Sequence, residues 1–434
     1  MRNQQKEQIK DRLRKQLSVK KGSKKLCLTM IVKNEAKNMV RLLDSLKDVI
    51  DMISIVDTGS TDDTKKIIYK WGKDNNIDTS VHDEEFKNFS YNRTHSIKKA
   101  KETYTDADYF LLSDADFIWE KDIGNKFDKI LLVDHKYLIE QYNKAIRYWN
   151  IRLLSAKVDW ECVGVTHEYW QECKSQSEYT GQVRLSKIKT LVINDKEDGG
   201  CKTDKYERDK RLLKEGLDDP NTPPNLKTRY KFYLAQTFKD VREYEKAIEF
   251  YTKRIDDGGW PEEVFYSTYQ IGWCNEQIGW NIKKVATSIE NKTKLDIEYL
   301  TEWNKDNLGQ TELMEKANNF FNIASDFYLK AYNYRPTRTE SLYTMTKMYR
   351  LLGFNDLALK YSLIGNTIKY PTEDSLFIEG GCYDYLFDFE ISIVAFYIKD
   401  KKDLGRQATS KLLTNDNLPK NLLSVVKNNS RFYI

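Results

Sequence analysis

The sequence predicts two architectures in one chain: an α/β domain on a mostly parallel, Rossmann-like sheet, then an all-α array of helical repeats. Three observations carry this. Between Leu26 and Leu112, short apolar runs alternate with helically spaced apolar residues, the pattern of buried strands joined by right-handed crossovers. Acidic residues stand where those runs end, at Asp57, Asp114 and Asp116. From Thr228 onward Gly and Pro thin out, and Ala324 and Ala358 lie 34 residues apart, a recurrence expected of stacked helix pairs.

Length and composition set the frame. At 434 residues the chain has room for two or three domains, and 40% hydrophobic with 32% charged residues is a globular composition. No apolar run approaches the about 20 residues needed to cross a bilayer. Met1 to Lys25 holds ten Lys/Arg against Glu7 and Asp11, a net of +8 in a chain of +5, so the rest is about −3. The basic character is therefore a property of a tail, which argues against a nucleic-acid-binding body. The tail has no apolar core of a secretory signal. Six scattered cysteines with no Cys-x-x-Cys pair fit free thiols in a reducing compartment, and a cytoplasmic location is expected.

In order along the chain, Leu26 to Val32 is the first strand. Met39, Leu42, Leu43 and Leu46 follow at helical spacing, with Asn34 and Glu35 at the helix start or Glu35 lining a site. Met52 to Val56 is the second strand and ends at Asp57. Gly59 suits a tight turn, Ser60 or Thr61 a helix cap, and Asp62 and Asp63 the first helical turn. Val81 closes a third strand, and Ser90 opens a helix reaching Ala100. Tyr109 to Leu112 is a buried strand that delivers Asp114 and Asp116 at its end. Two close carboxylates repel, and burial raises their free energy further unless a cation sits between them. Hard oxygen donors suit Mg²⁺ or Mn²⁺, often shared with a substrate phosphate, and the carboxyl edge of a parallel sheet is where such ligands bind. Neither Gly-x-Gly-x-x-Gly nor a P-loop occurs.

Four stretches, Met30-Ile-Val-Lys-Asn-Glu35, Val56-Asp-Thr-Gly-Ser-Thr-Asp62, Phe89-Ser-Tyr-Asn-Arg93 and Leu112-Ser-Asp-Ala-Asp116, together resemble the family 2 glycosyltransferases of the GT-A fold. The resemblance implies a nucleotide-sugar donor and hexosyl or N-acetylhexosaminyl transfer. It implies that Asp57 contacts the nucleobase and Arg93 lies near the diphosphate or base. Asp114 would meet the ribose or the metal's water shell, and Asp116 would ligate the metal.

Downstream, Ile151 to Leu154 is expected as an edge strand. Trp160-Glu-Cys-Val-Gly-Val-Thr-His-Glu168-Tyr-Trp resembles a Trp-x-Gly-x-x-His-Glu segment of the same family, with one extra residue before the glycine. An inverting transferase needs a carboxylate that takes the acceptor hydroxyl's proton. Glu168 is the first candidate and Asp159 the second. His167, one of only four histidines, is placed to ligate the metal, position the acceptor or act as the base itself. Trp160, Tyr169 and Trp170 suit either a sugar-stacking surface or the core. Many GT-A enzymes carry a metal-binding histidine near the end of the domain. None stands here, and Asn194, Asp195 or Asp198 could replace it. Lys202 and Lys205, in a polar loop ahead of a helix, are candidates to close over the diphosphate.

In the second half, Leu234, Ala235, Phe238, Ala247 and Tyr251 fall near the small and aromatic positions of a tetratricopeptide repeat, and the region resembles a TPR-like solenoid. Ala324, Tyr328, Ala331 and Pro336 fit another, and Tyr349, Ala358 and Pro371 a third. A repeat opening at Ile271-Gly272 has its second helix delayed by an insertion from about Asn281 to Glu315. Phe387 to Leu413 is a capping region. The expected domains are a tail (1–25), a glycosyltransferase domain (26–204) and a repeat domain (205–434). Partners are a nucleotide sugar and a protein, peptide or glycan acceptor, with self-association through the repeats. The rival reading is a catalytically degenerate scaffold that recruits proteins.

Overall fold

The computed structural model describes residues 24–121, 127–143, 147–173, 179, 181–199, 205–293 and 295–433. The chain divides into two compact units, one ending at Leu212 and one beginning at Leu213.

The first unit opens with β1 (Leu26–Val32), α1 (Ala36–Leu46), β2 (Met52–Asp57), α2 (Thr64–Asp74), β3 (Asp78–Asp83), α3 (Phe89–Thr103) and β4 (Tyr109–Leu112). It continues with β5 (Phe117–Lys121), β6 (Lys136–Tyr142), β7 (Arg147–Ser155), the hairpin β8 (Trp160–Val163) and β9 (Tyr169–Glu172), and β10 (Leu185–Asp195). Among the described residues eight strands form one sheet in the order β3-β2-β1-β4-β7-β6-β10-β5. The first four are parallel; β7 is antiparallel to β4 and β6, β10 is parallel to β6, and β5 antiparallel to β10.

Both faces of β1, β2 and β4 are covered, which is why those three strands are nearly continuous apolar runs. Leu26, Leu28 and Met30 pack with Met39, Leu42 and Leu43 of α1 and Ile68 and Trp71 of α2. Cys27 and Phe110 point the other way, to Ile97 and Ala100 of α3. Burying one fully exposed side chain of this kind contributes about 1.5–3 kcal/mol, so the alternation fixes strand register firmly.

Three local expectations need correction. The stretch Ile151 to Leu154 lies in β7, a central strand between β4 and β6, not at an edge. Its apolar residues Leu153 and Leu154 are fully buried on opposite faces, which an edge strand does not need. The helix after β2 starts at Thr64, so Asp62 and Asp63 precede it, and Asp62 Oδ1 accepts from the Thr64 amide at 3.0 Å. The cap of α3 is Asn88, whose Oδ1 accepts from the Tyr91 amide at 2.8 Å, rather than Ser90.

A helix, α4 (Lys205–Asp218), follows the sheet. The second unit is built of helix pairs: α5 (Pro224–Asp240) with α6 (Tyr244–Asp256), α7 (Pro261–Glu290) with α9 (Gln310–Tyr334), and α10 (Glu340–Leu351) with α11 (Asn355–Gly365). The short α8 (Ile297–Trp303) lies in the second connection, and α12 (Leu386–Val394), α13 (Lys402–Leu413) and α14 (Lys420–Ser430) close the array. The expected insertion is mostly helix: α7 runs on to Glu290 and α9 starts at Gln310, so both partners of that pair are lengthened. The Trp280 ring, tilted against Phe321 at 4.7 Å, continues their interface along the extra turns. Gly272 is required there, because a Cβ would come within 2.8 Å of the Tyr328 ring.

Candidate active site at the carboxyl edge of the sheet

Strand direction gathers the polar residues. β1, β2, β4, β6 and β10 all point their carboxyl ends to one edge, and β5 starts there, with Phe117 opposite Asp195. Neighbouring strands lie about 4.8 Å apart. Asp57 and the Asp114–Asp116 turn, separated by β1, therefore stand at strand ends about 10 Å apart. The chain order reverses between β1 and β4, the switch point at which open α/β sheets bind ligands.

The loops after β1 and β2 hold each other. Asn34, in a left-handed conformation (φ 55°), accepts from the Thr61 amide at 2.7 Å, and the Glu35 amide donates to Thr64 Oγ1 at 2.8 Å. Gly59 (φ 99°) makes the turn that lets the amides of Gly59 and Ser60 donate to Asp57 Oδ1 at 2.9 and 2.6 Å. Asp57 is buried, and its Oδ2 has no hydrogen-bond partner among the described residues. An orphaned buried carboxylate oxygen is costly, and a ligand N–H or hydroxyl would satisfy it.

Asp114 is gripped from both sides. Arg93 Nη2 donates to Oδ1 at 2.6 Å, and Arg152 Nη1 to Oδ2 at 3.2 Å. These two cations hold the Asp114 carboxyl below its usual pKa despite burial. Arg93 Nε also lies 2.6 Å from Glu168 Oε1. Arg152 Nη2 donates to Gln141 Oε1 at 2.9 Å, and Gln141 Nε2 donates to Asp195 Oδ2 at 2.9 Å. One chain of polar contacts thus runs Glu168–Arg93–Asp114–Arg152–Gln141–Asp195.

Asp116 differs from Asp114. It accepts from the Gly199 amide at 3.3 Å, and burial, with Asp114 and Asp195 nearby, pushes its pKa up to about 6. Burial raises Asp195 as well. Gly199 sits against both Asp116 and Glu35: a Cβ there would lie 3.2 Å from Asp116 Oδ2 and 3.4 Å from Glu35 Oε1. Among the described residues no set of three or more His, Cys, Asp or Glu side chains is gathered closely enough to hold a metal alone. Asp116 and Asp195, both raised chiefly by burial, supply hard oxygen donors of the kind that suit a cation sharing its ligands with a substrate diphosphate. Asn194 donates to Glu120, and Asp198 is paired with Arg41, so of the three histidine substitutes Asp195 is the one beside Asp116.

The β8–β9 hairpin brings in the second group. Gly164 (φ 109°) and His167 (φ 50°) form its turn, with His167 exposed and Glu168 turned in to Arg93. Asp159 is not part of this cluster. It pairs with Lys101 at 2.6 Å, about 12 Å along α3 from Arg93 at 1.5 Å per residue. Trp160 is core, its Nε1 donating to the Ser155 carbonyl at 2.8 Å. Lys205 begins α4 and is exposed; one turn on, Asp209 is buried, with Lys205, Arg208 and Glu168 all acting on its charge. Lys202 lies outside the described residues.

Sequence reasoning missed Arg152, Gln141 and Asp209. Arg152 had a signal: a lone charge inside the apolar run Ile151-Arg-Leu-Leu. Gln141 and Asp209 had none.

Strand order, edge carboxylates and helix pairs define the class, a GT-A-type α/β domain followed by a tetratricopeptide-like array. Residues 27–126 match the sequence model of the family described as Glycosyl transferase family 2, so this stretch of the first unit is similar to that family. The match takes in Asp57, Arg93, Asp114 and Asp116. No curated protein is significantly similar in sequence. Among solved structures, the chain is similar to TTC0263, a thermophilic TPR protein of Thermus thermophilus, at 12% identity over 52% of this chain and 88% of that one (TM-score 0.32). It is similar to S. aureus TarS at 15% identity over 58% of this chain (TM-score 0.31), spanning about half, 52%, of that protein. For S. aureus TarS 1-349 in complex with UDP the values are 13%, 70% and 91% (TM-score 0.28). The assignment rests on the family match and the strand order rather than on these structures. Among the described residues no helix is long and apolar enough to cross a membrane.

Proposed function

We propose that the chain is a metal-dependent, inverting glycosyltransferase that moves a sugar from a nucleotide-sugar donor to an acceptor hydroxyl. The observation that carries this is the pairing of two unmet needs at one edge: the bare Oδ2 of Asp57 and the uncompensated Asp116. Asp57 accepts from the nucleobase of the donor. Asp114, fixed by Arg93 and Arg152, presents its carboxylate edge to the ribose side, while Asp116, with Asp195, would hold Mg²⁺ or Mn²⁺. Such a cation would offset the charge that develops on the departing diphosphate.

Glu168 is the base. One oxygen faces Arg93, and the carboxylate takes the acceptor hydroxyl's proton as that oxygen attacks the anomeric carbon from the face opposite the leaving nucleoside diphosphate. Lys205 and Arg208, at the start of α4, add positive charge on that side. His167, exposed at the turn, positions the acceptor.

Calorimetry with UDP and MnCl₂ tests the donor half. Asp57→Asn keeps the turn bonds to Gly59 and Ser60 but replaces the bare oxygen, and it is expected to weaken UDP about 10- to 100-fold. Unchanged UDP binding in that variant would refute the assignment. The second reading, a degenerate scaffold, draws on Glu168 being held in an ion pair; it requires that neither UDP nor another nucleoside diphosphate bind at millimolar concentration with Mn²⁺ present.

A further inference from the structure

The segment between α11 and α12 has little regular structure beyond a 3-10 turn, Gly380–Tyr383. It crosses the first helices of three successive pairs. The amides of Ser375 and Leu376 both donate to Glu262 Oε2 of α7, at 2.8 and 2.7 Å. The Phe377 carbonyl accepts from Arg338 Nη2 at 3.2 Å, just before α10. Asp374 pairs with Arg335, whose Nε lies 2.7 Å from its Oδ2. The Glu379 amide donates to Glu340 Oε1 at 3.3 Å. The Phe377 ring lies 4.8 Å from Tyr266 of α7 and stacks at 6.5 Å on Phe232 of α5.

The two sides of this contact are unlike. Glu262, Arg338 and Glu340 are 6%, 0% and 1% exposed, whereas Phe377 keeps 40% of its surface in water. Phe377 also sits at φ 46°, a left-handed conformation that is strained for a bulky residue. A segment that fixes a fold buries its apolar side chains. This one is held by capture of its main chain, one acid and one ring, which is how a protein grips an extended peptide.

We propose that the face made by the first helices is a peptide-binding surface, filled here by residues 372–379 as an internal ligand. Its external ligand is an extended segment of another protein with an acidic residue three positions before an aromatic one, as Asp374 stands to Phe377. The buried charges dictate this chemistry. Were the strap to leave with nothing in its place, Arg338 and Glu340 would stay paired with each other at 2.9 Å, but Glu262 would lose both amide donors and Arg338 its carbonyl acceptor and the nearby Asp374, leaving buried charge with fewer partners. A replacement must therefore bring two adjacent N–H groups to Glu262, a carbonyl to Arg338, a carboxylate to Arg335 and a ring to the Phe232–Tyr266 pocket. Nucleic acid brings phosphates against Glu262 and Glu340 and is disfavoured.

The test uses the full chain and a fluorescein-labelled peptide of residues 371–380, read by fluorescence anisotropy. Phe377→Ala weakens the internal ligand and is expected to bind the peptide about tenfold or more tightly than the native chain. Adding Arg335→Ala should reverse that gain. A folded Phe377→Ala chain that binds millimolar peptide no better than the native chain overturns the proposal. Hydrogen exchange on the native chain gives an independent reading. The Ser375 and Leu376 amides should exchange through a local opening and slow when peptide is added. Exchange of these amides only through global unfolding would make the strap a fixed part of the fold.

Discussion

The Arg93 guanidinium bonds Asp114 at 2.6 Å, and its Nε simultaneously lies 2.6 Å from Glu168. One side chain on α3 thereby ties the end of β4 to the β8–β9 hairpin, joining the carboxylates of Asp114 and Glu168. All three groups are largely buried, so the pairing resists screening by salt.

Arg93→Ala should therefore do two things at once. It strands a buried carboxylate pair, lowering stability by about 3–5 kcal/mol in denaturant unfolding. It also frees Glu168 to drift, lowering kcat by about 100-fold or more. Arg93→Lys, a single point charge without the planar fork, should recover part of the stability and little of the rate.

The base assignment separates two carboxylates. Glu168→Gln is expected to lower kcat about 10²- to 10⁴-fold while leaving UDP binding by calorimetry unchanged. Asp159→Asn, at a partly exposed pair with Lys101, should change turnover little and stability by about 1 kcal/mol or less. The opposite ranking would move the base to Asp159.

Asp116 sets a pH window. Its folded pKa of about 6 stands above the ordinary 3.8, so the folded state binds the proton more tightly than the unfolded one. That contribution is fully present below about pH 4 and is lost as pH rises through about 6. A metal-free thermal scan should show the corresponding decline, and Asp116→Asn should remove it. Mn²⁺ must displace the same proton, so its stabilising shift should be large at pH 7 and small at pH 5, and absent in Asp116→Asn.

Gly272→Ala tests the array. In an exposed helix this change stabilises by about 1 kcal/mol. Here the new Cβ would meet Tyr328 at 2.8 Å and the Ala324 carbonyl at 3.1 Å. Tyr328 is also anchored by its hydroxyl donating to Glu276 at 2.6 Å and cannot swing aside freely. Destabilisation of about 1–3 kcal/mol is expected, read as a lower thermal midpoint.

β1, β2 and β4 were legible because both faces of each are buried, leaving an unbroken apolar run. Asp57, Asp114 and Asp116 were legible as acids ending such runs. The position of β7 was not, since an apolar run next to a hairpin looks alike at the edge and in the middle of a sheet. Asn88 and Ser90 are both good caps, and only backbone geometry chooses between them. The Asp374–Phe377 strap gave no signal, because its partners Glu262 and Phe232 are more than a hundred residues away in sequence.

The sequence by itself determined the two architectures, the strand ends that carry acids and the repeat period, because these follow from local spacing and from which side chains avoid water. Only the tertiary structure decided that Asp114 is held by Arg152 as well as Arg93, that Asp195 rather than Asn194 or Asp198 stands beside Asp116, and that the repeats grip their own connecting segment. Those outcomes depend on strand order and chain direction, which bring together charges far apart along the chain and leave the composition of each segment unchanged.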